Sequence, residues 1–147
     1  MIEVSLALAV VGIAMVSILG LFAVGLNAAR DATDDDTAAQ IIQAIIADRQ
    51  RSPYTSPTPA ISATSFAIPA LDSLNTYTLY FPKRGGVPTI SPVANASYFQ
   101  VDIKKRPGLH ANFSDLAVLD LRVSWPAAAA DINQRTVYFY TTAIGRR

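Results

Sequence analysis

The chain has 147 residues, with 12 Lys and Arg against 11 Asp and Glu and no cysteine. The length allows one compact domain plus a long extra element. A net charge of +1 gives no global electrostatic case for nucleic acid or an anionic membrane surface, and the missing cysteines exclude a disulfide framework, a thiolate metal site and a Cys nucleophile.

Residues 1–51 read as one helical segment. Glu3 stands alone ahead of Val4 to Leu26, 23 residues without an ionisable side chain. At a rise of about 1.5 Å per residue this run spans roughly 34 Å, enough for a hydrocarbon core of about 30 Å. A secretory signal peptide would want a basic start and an apolar run of only about 7–15 residues, so an acidic start and a longer run argue for a span. A carboxylate at the mouth of such a helix is costly unless something pairs with it. Only Arg30 follows the span closely, so loop charge does not set its orientation.

The helical reading continues from 28 to 51, with no Gly or Pro. Ala38, Ile41, Ile42, Ile45 and Ile46 form the i, i+3, i+4 stripe of a helix packed on one face. Asp31, Asp34, Asp35 and Asp36 raise the question of calcium. They lack the glycine turn and the distal bidentate Glu of a loop site, so a solvated acidic face is expected, able to pair with Arg49, Arg51 or a neighbour's basic residues. Ser52-Pro53 ends the helix.

Residues 52–69 contain Pro53, Pro57, Pro59 and Pro69 among Ser, Thr and Ala, the composition of a connecting loop. The remainder, 70–147, reads as a β-sheet head. Thr76 to Phe81 alternates and is rich in aromatic and β-branched residues; Pro82 to Pro88 follows as a turn. Ser97 to Ile103 is a second strand, expected to break at Lys104 to Gly108. Leu116 to Trp125 alternates, with Leu119, Leu121, Val123 and Trp125 on one side. Arg135 to Ile144 is the last strand. Four strands separated by turns predict an antiparallel sheet with one buried face, covered by the Ala38–Ile46 stripe: an α+β fold.

Basic residues beside stackable aromatics are what single-stranded DNA contact would use. Lys83 and Arg84, and Lys104, Lys105 and Arg106, fall in expected turns near Tyr80, Phe81, Tyr98 and Phe99. The near-zero net charge argues that these are ordinary solvated turns. His110 is the single histidine, and without a second His or a Cys it builds neither a zinc site nor a nucleophile–base pair. Asn95-Ala-Ser97 and Asn112-Phe-Ser114 match the glycosylation acceptor pattern, which is common by chance. No phosphate loop, carboxylate pair or nucleophile elbow is recognisable; neither an enzyme nor a cofactor is expected.

Met1-Ile2-Glu3-Val4-Ser5-Leu6-Ala7-Leu8 resembles the Leu-Ile-Glu-Val-x-Leu-Ala-Leu part of the N-terminus of type IV pilins and type II secretion pseudopilins. The likeness is specific over roughly the first twenty residues and architectural beyond them. Val123-Ser-Trp125-Pro126 and the strand after Arg135 are similar to the V-type minor pilins and I-type pseudopilins, and the head also resembles the cassette protein B group. The family's processed glutamate is fifth, whereas here it is third. The resemblance thus implies two further mature residues and a basic leader ahead of Met1, and puts cleavage and N-methylation of this chain as written in question.

The resemblance implies a minor structural subunit of a type IV pilus or type II secretion pseudopilus, held in the bacterial inner membrane with its head outside the cytoplasm before assembly. It implies other pilin subunits, prepilin peptidase and an assembly platform as partners. Glu3 would neutralise a neighbouring subunit's N-terminal amine, with Ile2, Val4, Leu6 and Leu8 in the surrounding helix contacts. Gly12, Gly20 and Gly25 would allow close helix approach. The alternative is a single-span membrane-anchored periplasmic binding module.

Overall fold

A computed structural model describes residues 2–62, 65–106 and 116–145; Met1, His110, the Asn112–Ser114 acceptor pattern and the Pro107-Gly108 turn lie outside them. The fold is α+β: one long helix and a four-stranded antiparallel sheet. By internal contacts the chain divides into two compact units, Met1–Asp36 and Thr37–Arg147.

Helix α1 runs Ile2–Arg51. Glu3 lies in its first turn and Arg49 and Arg51 in its last, each charge favourable to the helix dipole. In the first unit the apolar side chains from Ile2 to Leu26 are all exposed. Polar groups there are absorbed locally: the Ser17 hydroxyl donates to the Ile13 carbonyl at 2.9 Å.

In the second unit the sheet is a meander, order β1-β2-β3-β4, made of β1 (Thr76–Phe81), β2 (Phe99–Arg106), β3 (Leu116–Trp125) and β4 (Thr136–Gly145). Register sets Thr76 opposite Lys104 and Phe81 opposite Phe99, then Asp102 opposite Arg122, and Arg122 opposite Phe139. The inward residues of β1 to β3 alternate strictly, from Leu79 and Phe81 through Val101 and Ile103 to Leu119, Leu121, Val123 and Trp125. Ala38, Ile41, Ile42 and Ile45 join them in one buried cluster, with Ile46 half-buried against it. Phe99 packs edge-on to Trp125 at 5.4 Å, and Tyr138 stacks on Trp125 at 5.3 Å. After β1, Gly85 and Gly86 adopt φ of 71° and 108°, a turn that β-substituted residues resist.

Two expectations need correction. Strand β2 does not break at Lys104 but continues through Arg106, because cross-strand bonds to β3 carry the basic residues into the ladder. Asp34 is buried, whereas Asp31, Asp35 and Asp36 are exposed, so the acidic stretch is not uniformly solvated.

The proline-rich segment is tied into the core. Its Phe66 and Ile68 are buried, followed by Leu71 and Leu74. Asp48 accepts the Phe66 N–H at 3.0 Å, and Thr58 pairs with Ile68 through both its backbone N–H and its hydroxyl. Arg49, 1% exposed, donates to the carbonyls of Pro53, Ser56 and Pro69. Burial holds its pKa below the ordinary arginine value, against the opposing pull of Asp48 and Asp72. The guanidinium thus serves the loop, rather than the acidic stretch that precedes it on the helix.

Candidate functional site

Two surfaces carry the features singled out in the sequence. The first is the N-terminal unit. Glu3, Ile2, Val4, Leu6 and Leu8 are all exposed, and Ile2 is 86% exposed. Successive helical residues advance by 100°, so Ile2 to Leu8 spread around the axis instead of forming one stripe. A side-chain carbon added at Gly12, Gly20 or Gly25 would meet nothing within 4 Å. Those glycines therefore relieve no crowding among the described residues. The helix is long and apolar enough to cross a membrane, and none of its most apolar stretch is buried.

The second surface is the head. The basic residues do not come together. Lys83 and Arg84 follow the end of β1 at Phe81, while Lys104 sits opposite Thr76 at the other end of the same six-residue strand. Strand rise places those ends about 17 Å apart. Lys83 lies over the Tyr98 ring, 4.4 Å from its centroid. Alternation divides the second group too: Lys104 and Arg106 share the outer face of β2 and Lys105 projects to the other. Among the described residues no group of three or more His, Asp or Glu is arranged to hold a metal ion.

Outer-face residues of all four strands line a groove of about 640 Å³, with Thr76, Lys104, Arg106, Asp120, Arg122 and Phe139 among them. Arg106 grips Asp120 through two bonds of 2.8 and 3.0 Å, and the Thr141 hydroxyl donates to the same carboxylate at 2.8 Å. Those hydrogen bonds hold the Asp120 pKa below its ordinary value. Asp102 accepts from the Thr78 hydroxyl at 2.8 Å and the Gln100 amide at 3.1 Å. The Arg122 guanidinium sits 5.8 Å from the centre of the Phe139 ring.

Arg122 and Phe139 were not among the residues singled out. Alternation places Arg122 on the polar face of β3, but Phe139 shares its face of β4 with Val137 and Ala143 and reads as an inward residue; its outward position and its adjacency to Arg122 come from the β3–β4 register. Had the offset between those strands been known, the pairing of a cation with an aromatic would have been readable.

Compared against protein-family models, curated protein sequences and solved structures, the chain matches none. The pilin likeness therefore stands on the N-terminal motif and on a shape, one long apolar N-terminal helix plus a small antiparallel sheet, that is compatible with a pilin-like fold.

Proposed function

We propose that this chain is a structural subunit, of the minor kind, of a type IV pilus or type II secretion pseudopilus, assembling through its N-terminal helix. The observation that carries this reading is the single helix α1, apolar and exposed through its first half, amphipathic and built into the head through its second. A membrane holds such a segment before assembly, and identical segments from neighbours shield it afterwards. Glu3 gives the bundle its register: paired with a neighbour's terminal amine, it removes two charges from an apolar core together. Deleting one partner of a pair so placed costs about 3–5 kcal/mol. Prepilin peptidase, an assembly platform and pilin-like neighbours are the partners this reading requires.

The test is Glu3→Gln expressed in cells that make the filament. The variant should remain in the membrane at normal abundance and fall at least tenfold in sheared filaments, a loss within the roughly 3–5 kcal/mol of a broken buried pair. Normal incorporation would remove the role given to Glu3. A single-span anchored binding module is the second reading, favoured by the groove on the outer sheet face.

A further inference from the structure

We propose that the outer face of the sheet binds a carboxylate carried on a hydroxylated ring, the chemistry of a uronic-acid sugar, in the groove between Thr76 and Thr141. The inference goes beyond the filament reading and holds whether the head stands in a filament or on a single anchor.

The electrostatics of the groove are incomplete in a particular way. Register sets Lys104 opposite Asp120 and Arg122 opposite Asp102, the opposite-charge arrangement that cross-strand pairs favour. Neither pair closes among the described residues. Asp120 is taken by Arg106 and Thr141, and Asp102 by Thr78 and Gln100. Arg122 is thereby left without a carboxylate partner, and Lys104 acts on Asp120 by charge attraction alone, with no hydrogen bond to it. The Arg122 Nε is also shut off from solvent with no acceptor. The Nε itself is closed to a ligand, but an anion in the groove compensates the positive charge of the guanidinium that carries it.

The rest of the lining narrows the ligand. Among the described lining residues, three cations against two carboxylates, Lys104, Arg106 and Arg122 against Asp102 and Asp120, leave one net positive charge. That balance suits a single anionic group and works against a polyanion, whose further charges would meet the aspartates. The phenyl ring of Phe139, 76% exposed, is a flat apolar platform next to the cation. A pyranose ring offers a C–H face to such a platform, burying apolar area on both sides. Its hydroxyls are donors for the acceptor capacity remaining on Asp102 and Asp120 and acceptors for Lys104. A volume of about 640 Å³ lies within the range of small-ligand sites.

The experiment is calorimetric titration of the full chain in neutral detergent micelles with galacturonic acid. Galactose, inorganic phosphate and a thymidine oligonucleotide serve as comparison probes. Galacturonic acid should bind at least about tenfold tighter than galactose, which lacks the charge, and than phosphate, which lacks the ring. Arg122→Gln and Phe139→Ala should each weaken it by a similar factor. Lys104→Gln, at an exposed position that makes no hydrogen bond and only a solvent-screened attraction to Asp120, should weaken it with little movement of the thermal midpoint; this keeps the test sound if Arg122→Gln fails to fold. No detectable galacturonate binding, equal binding of phosphate or galactose, tighter binding of the oligonucleotide, or an unchanged Lys104→Gln affinity would each overturn the proposal.

Discussion

The two halves of α1 share one backbone conformation and differ in what they are built to meet. From Ile2 to Leu26 the apolar residues point in every direction and none is covered. From Ala38 to Ile46 they form one stripe, and that stripe lies in the core of the head. Hydrophobicity alone does not separate them; angular distribution does. An all-round apolar helix needs a surrounding that is itself all-round, lipid or other helices, whereas a striped helix is satisfied by one sheet. The lesson is that one continuous helix can carry two separate patterns, one left uncovered by its own chain and one that builds the fold.

Substitution in each half tests that division. Ile45→Ala opens a cavity at a side chain only 1% exposed and should cost the head about 2–5 kcal/mol in chemical denaturation. Leu8→Ala, the same kind of truncation in the other half, should leave the head's denaturation midpoint unmoved. Arg49→Ala tests the end of the striped half: it withdraws the donors from three loop carbonyls and should lower head stability by about 2–3 kcal/mol in the same assay. Gly12→Ala and Gly20→Ala face open space, so helicity measured by circular dichroism in micelles should rise, with a gain of up to about 1 kcal/mol per site. A loss of filament incorporation despite that gain would locate close helix packing at those glycines.

The smallest effect belongs to the exposed Arg106–Asp120 pair. Asp120 titrates below its ordinary value of 3.8 in the folded state, so in acid the unfolded chain takes up the proton first. The contribution is therefore complete above that ordinary value and disappears as pH falls through the lower folded one. Asp120→Asn should flatten the acid limb of a head stability profile slightly, and solvent screening keeps the difference small.

Much of the fold was legible because it rests on local patterns. The bounds of β1 and β3 follow from alternation and flanking turn residues, and the helix end follows from Ser52-Pro53. β2, expected at Ser97 to Ile103, runs Phe99–Arg106 instead: Lys104, Lys105 and Arg106 look like a solvated turn, whereas pairing with β3 keeps them extended. Arg49 was equally hidden: nothing in a helical Asp-Arg-Gln-Arg run announces that one arginine turns inward to bind loop carbonyls at Pro53, Ser56 and Pro69. The groove is the least local feature. Thr76, Lys104, Arg122 and Phe139 come from four strands, and only the register brings them to one face.

The proposal to be tested is that the first half of α1 packs against other subunits. Quantitative mass spectrometry of filaments sheared from the cell surface, set against the membrane fraction of the same cells, tests it most directly. The account predicts peptides of this chain in the sheared filaments, at a small fraction of the main subunit's abundance. Finding the chain only in membranes, while filaments are recovered without it, would contradict assembly and leave an anchored binding head.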